Sequence, residues 1–198
     1  INTVSTPRGG QFRITLPDGS AVWLNSSSLI RFPTGFEAAE RRVEIEGEVF
    51  FEVKKDATRP FRVVFGGNEV EVLGTSFNIA HYSDEAVSRT TLVEGAVSFR
   101  GGGKVSVLKP GQEASVTESG VVSIADVDVE EAIAWKNGLF FFPDADVGSV
   151  LRQVSRWYDV EVVYEGTFSK KQLRGKVPRS EALSELMNML HYAGLRYR

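Results

Sequence analysis

Two histidines, His81 and His191, are the only imidazoles in the chain and stand 110 residues apart. Neither sits in a context that would activate a nucleophile, since the sequence holds no Gly-x-Ser-x-Gly elbow. His191 follows an apolar run near a helix end, where a polar group facing the helix dipole is the plainer role. The acidic run Asp126, Asp128, Glu130 and Glu131 places carboxylates at near-alternate positions, as Ca²⁺ prefers. The intervening valines and the missing mid-loop glycine argue against an EF-hand, and charge ahead of a helix N-terminus accounts for the run. Gly101-Gly102-Gly103 lacks the Lys-Ser/Thr and the helix of a phosphate loop, so it reads as a hairpin tip. No pair of carboxylates is nominated for glycoside hydrolysis, whose geometry is a property of the fold. With no cysteine, disulfides, thiolate metal sites and cysteine nucleophiles are excluded. The expectation is a non-enzyme with no catalytic residue, no metal site and no cofactor.

The aromatic residues Phe50, Phe51, Phe61, Phe65, Phe77 and Phe99, then Phe140, Phe141 and Phe142, have the chemistry to stack sugars or bases. Where they alternate with polar residues they read as core, because one phenylalanine buries a large apolar area. Phe50 and Phe51 are consecutive and must face opposite ways in a regular strand. Either both faces are covered, or one ring lies on a binding surface.

The elements that must position these groups are short strands. Gly47, Gly74 and Gly95 each head a run that mostly alternates apolar with polar residues, and strand patterns recur from Gln11 to Ile124. They include Arg42 to Glu46, Glu48 to Lys54, Phe61 to Phe65 and Ser76 to Tyr82, separated by turn signals such as Pro17-Asp18-Gly19-Ser20 and Pro110-Gly111. The glycine spacings of 27, 21 and 16 residues, taken from 47 to 111, fit no strict repeat. Residues 1–125 are therefore expected to form a mainly β domain, either an irregular β-sandwich or a β-solenoid-like stack.

After a 126–137 linker with a short helix, residues 138–198 read as a small α/β domain in β-α-β-β-α-β order. Leu139 to Phe142 is a strand and Asp146 an N-cap, with Val147, Val150, Leu151, Val154 and Trp157 on one helix stripe. Strands over Asp159 to Tyr164 and Gln172 to Val177 follow, then a helix capped by Ser180 and ended near Gly194, and a last strand from Leu195. The formal net charge of −3 divides into −5 over 1–137, with 14 Lys/Arg against 19 Asp/Glu, and +2 over 138–198, with 9 against 7. No basic footprint for nucleic acid results, and no apolar run approaches the roughly 20 residues of a membrane span. The start at Ile1 suggests an excised fragment whose targeting or anchoring segment lies outside it.

The stretch Leu16 to Ser26, Phe32-Pro33, Arg42 to Val53, Pro60-Phe61, Val72 to Asn78 and Leu108 to Gln112 closely resembles the FecR family of anti-sigma factors. The C-terminal unit, with Trp135, Leu173-Arg174-Gly175 and its last helix, is similar to the secretin/TonB short N-terminal fold. The resemblance implies the periplasmic signalling part of an inner-membrane protein. Its partner would be the signalling domain of a TonB-dependent outer-membrane receptor, and an extracytoplasmic-function sigma factor would be bound only through a cytoplasmic segment missing here, as is the membrane anchor. Edge pairing is a common recognition mode for small sheets, which makes Val160, Val162, Tyr164, Leu173 and Arg174 the candidate partner-binding residues. Their period-2 pattern alone favours ordinary sheet core as the plainer reading. An envelope carbohydrate-binding or accessory module is the alternative function.

Overall fold

The computed structural model describes residues 1–37, 39–165, 172–192 and Leu195. As expected, a mainly β unit is followed by a small α/β unit. The first comprises β1 (Asn2–Ser5), β2 (Phe12–Thr15), β3 (Ala21–Leu24), β4 (Leu29–Phe32), β5 (Arg41–Glu52), β6 (Phe61–Phe65), β7 (Asn68–Val72), β8 (Ser76–His81), β9 (Val87–Glu94), β10 (Val97–Gly101), β11 (Lys104–Leu108), β12 (Gln112–Thr117) and β13 (Val122–Asp126). These form one 13-stranded sheet, curled close to a barrel, along the path β11-β10-β7-β6-β5-β8-β9-β12-β13, with β1 to β4 branching from it. Neighbours pair antiparallel except β5 and β6, which run parallel.

The long strand β5 makes the fold. Two strands were expected either side of Gly47, but the chain continues through it, with the first half paired to β4 and β6 and the second to β3 and β8. Gly47 turns the strand at φ +86°, and a Cβ there would lie 2.5 Å from Ser28 Oγ, so no other residue fits. Beyond it, Phe51 enters the core and stacks on Phe77 at 5.0 Å, while Phe50 faces the opposite way, edge-on to Trp23 at 5.7 Å. Both faces are thus covered, and neither ring is a free binding surface. Strands β6 and β7 bury every second residue, as their sequences dictate.

Helix α1 (Val129–Ile133) and a 3₁₀ turn (Trp135–Asn137) lead to β14 (Leu139–Asp146), α2 (Val147–Tyr158), β15 (Gln172–Pro178) and α3 (Leu183–Tyr192). Asp146 caps α2 by accepting from the Ser149 amide at 2.9 Å. Strands β14 and β15 pair antiparallel. Helix α3 begins three residues after the expected cap Ser180. Residues 160–165 carry no strand assignment, so the expected second strand is not formed among the described residues. Asp159 ends α2 in the left-handed region at φ 52°, and the Val160 amide donates back to the Ser155 carbonyl at 3.2 Å, spending its hydrogen bond on the helix terminus. Gly194 and the last-strand residues 196–198 lie outside the described residues. Among the described residues no helix is long and apolar enough to cross a membrane.

Candidate functional site

The residues whose types have the chemistry for a site are put to structural use. His81 Nδ1 lies 2.7 Å from Ser88 Oγ at the β8–β9 hairpin, whereas His191 Nδ1 lies 3.1 Å from the Leu195 carbonyl on the other unit. Gly102 and Gly103 form the β10–β11 hairpin tip. In the acidic run, Asp128 caps α1 through the Glu130 amide and Glu130 pairs with Lys176 at 2.6 Å. Among the described residues no group of three or more possible ligands is placed to hold a metal ion.

The five partner-binding candidates separate by burial. Val160 and Val162 are half-buried, and Val162 packs on the core of the α/β unit. Tyr164 is 45% exposed beside Val163 at 76%. Leu173 is buried opposite Ala145, whereas the neighbouring Arg174 points outward and pairs loosely with Asp144 at 3.7 Å. The outward-facing set is therefore Tyr164 and Arg174.

Sequence reasoning missed a polar cluster at the junction of the two units. From α2, Arg156 donates to both carboxylate oxygens of Asp84 and to Glu85, each at 2.8 Å, and lies 4.0 Å over the Tyr82 ring. Arg152, one turn earlier, donates to the other Glu85 oxygen at 2.6 Å. Beneath this clamp Glu48 is enclosed in the β unit, accepting from Asn25 Nδ2 at 2.7 Å and Asn78 Nδ2 at 3.0 Å. With both amide nitrogens turned to Glu48, the amide oxygens face the junction. Asn25 Oδ1 accepts from Arg179 Nη1 at 2.8 Å, and Asn78 Oδ1 accepts from the Trp135 indole at 3.1 Å. One carboxylate thus orients both acceptors. Arg152 and Arg156 at i, i+4 were the only local sign of this cluster.

Burial pushes the Glu48 carboxyl above its ordinary range, against the pull of the two asparagines and of Arg179 and Arg156. Burial alone would also raise Glu85, but hydrogen bonds from Arg152 and Arg156 outweigh it and hold this carboxyl below the usual range. The two acids act on stability with opposite sign. Glu85 stabilises the fold above its unfolded value of 4.5 and loses this as pH falls through its folded value; the contribution of Glu48 is fullest below 4.5 and is lost as pH rises through its folded value. Acidification below about pH 4.5 should lower the thermal midpoint, and Glu85→Gln should flatten that acid limb in calorimetry. An unchanged limb would remove Glu85 from the account.

A family model described as "FecR protein" matches residues 2–98, and one described as "FecR, C-terminal" matches residues 139–198. A crystal structure of a candidate anti-sigma factor from Parabacteroides distasonis ATCC 8503 at 1.65 Å resolution is 30% identical, with a TM-score of 0.93 over 100% of this chain and 94% of that one. This chain belongs to the FecR family of anti-sigma factors. A second structure of a candidate anti-sigma factor from the same organism, at 2.50 Å, is 31% identical, with a TM-score of 0.92 over 100% of this chain and 93% of that one. No curated protein matches the sequence. The two FecR models fall either side of the polar junction, whose Trp135 lies between the matched ranges while Arg156, Arg179, Asn25 and Asn78 lie within them.

Proposed function

We propose that this FecR-family chain is the periplasmic signalling region of a transmembrane anti-sigma factor. It senses the signalling domain of a TonB-dependent outer-membrane receptor by protein–protein contact and thereby regulates an extracytoplasmic-function sigma factor, whose contact we place outside these residues. The supporting observation is the likeness to a candidate anti-sigma factor along the whole chain, combined with a C-terminal unit whose described sheet has only two strands. A two-stranded sheet leaves backbone donors and acceptors for an added strand. Docking then falls on residues 160–165 and on β15, with Tyr164 and Arg174 as the outward side chains.

The reading is a binding module, not an enzyme. The carbohydrate-binding alternative needs several open aromatic faces side by side, yet Phe50, Phe51, Phe61, Phe65, Phe77 and Phe99 are at most 3% exposed, and the exposed rings Phe12, Tyr164 and Tyr192 stand on different segments of the chain. The half-buried Trp23 carries Arg13 at 4.8 Å and Lys136 at 4.3 Å over its ring. Pull-down of the chain with signalling domains of candidate receptors tests the proposal. Tyr164→Ala with Arg174→Glu should cut retention about tenfold, roughly 1.4 kcal/mol, at unchanged thermal midpoint. Unchanged retention would sink the assigned surface.

A further inference from the structure

Among the described residues the two hydrophobic cores share no member: the buried members of the first lie between Leu16 and Val116, and those of the second between Phe140 and Leu190. The units are joined by polar contacts and by the buried Trp135 and Ala134 between them. Besides the Arg156 clamp and the two asparagine acceptors, the Gly9 amide donates to the Arg156 carbonyl at 2.8 Å, and Arg8 reaches both Ser155 and Asp159. A cavity of about 120 Å³ with mixed polar and apolar walls lies in the same seam, with Glu48, Asn78, Glu131, Trp135, Phe141 and Arg156 among its lining residues. Separating such surfaces exposes Trp135 but neither core, and exchanges their hydrogen bonds for bonds to water, so the units can part while each core stays intact.

The placement of the clamp adds direction. Helix α2 buries Val147, Val150, Leu151 and Val154 in its own core while Arg152 and Arg156 reach the β8–β9 loop, so it belongs to both sides. The 160–165 stretch is tied to this helix at Ser155, whose Oγ donates to the Val160 carbonyl at 2.7 Å, one residue from Arg156. Strand β15 ends at Pro178, and the next residue is Arg179, the donor to Asn25. Both segments offered for docking therefore run directly into the groups that hold the junction.

We propose that this junction is a polar latch, closed by Arg156 and Arg179, that opens as a unit when a protein partner docks on residues 160–165 and β15. The latch rests on the docking reading given above. Docking pulls on Ser155 and on the end of β15, the clamp and the Arg179 hydrogen bond are lost together, and the β unit is released from the α/β unit without unfolding.

The test uses the whole chain. Amide exchange at Gly9, bonded across the junction, is followed beside core amides of β8 and α2, with the fluorescence of Trp135 and Trp157 as a second readout. Arg156→Met with Arg179→Met should raise Gly9 exchange at least tenfold, red-shift the emission and split one melting transition into two, with core exchange unchanged. Glu85→Gln, a milder change that keeps both arginines, should move Gly9 exchange the same way by a smaller factor. A saturating receptor signalling domain should reproduce the Gly9 effect in the unaltered chain. Binding with unchanged Gly9 exchange overturns the latch and leaves the docking reading standing. Absence of binding overturns the docking reading and its trigger, and variants that leave Gly9 exchange and the single transition unchanged overturn the latch by themselves.

Discussion

Replacing Asp18 with alanine is expected to destabilise the β unit by about 3–5 kcal/mol, the cost of leaving a buried partner charge uncompensated. Asp18 Oδ2 accepts from Arg41 Nη1 at 2.8 Å, with side chains 4% and 1% exposed. The same carboxylate takes the Ser20 amide and hydroxyl, and Ser20 Oγ accepts from the Lys54 amide at 3.0 Å, tying the turn to the chain after β5. Arg41 would keep only the Lys54 and Arg59 carbonyls and the Phe61 ring, 5.4 Å from its guanidinium carbon. Removing both charges, as Asp18→Ala with Arg41→Met, should recover most of the loss, since apolar replacement of a buried pair is often close to neutral. Denaturant unfolding of the four chains as a double-mutant cycle checks this. A cost for Asp18→Ala below about 1 kcal/mol would contradict the buried-pair account.

Phe51→Ala should cost about 3–5 kcal/mol through the cavity it leaves. The ring is fully buried, stacks on Phe77 at 5.0 Å with 14° between planes, and meets Phe61 edge-on at 5.9 Å. Its loss therefore removes aromatic pairing as well as apolar burial, at the point where β5 and β8 cross the core. Phe141→Ala is the control. That side chain is half-buried in β14 with Lys176 at 4.4 Å over its ring, and its truncation should cost far less. Equal costs for the two variants would mean that the core is not centred on the Phe51–Phe77 stack.

Local signals carried most of the β architecture. The turn Pro17-Asp18-Gly19-Ser20 was legible because its residue types set a turn, but its anchor Arg41 lies 23 residues away and no local pattern joins them. Gly47 was legible as a special backbone position, whereas its place inside a continuous strand depends on which sheets flank it. The short β1 and β4 escaped because neither carries a full alternating face. Val160, Val162 and Tyr164 alternate like a strand, yet alternation reports half-burial and not pairing, and Val160 is spent on the end of α2. The junction was illegible for the same reason as the Arg41 anchor: Arg156 meets Asp84 across 72 residues and Arg179 meets Asn25 across 154.

Hydrogen-exchange footprinting of the whole chain with and without a saturating receptor signalling domain tests the central claim most directly. The account predicts that protection appears in residues 160–165 and in β15, with none gained in β1 to β13. Protection confined to the β unit, or no protection with any signalling domain of a matching receptor, would contradict it.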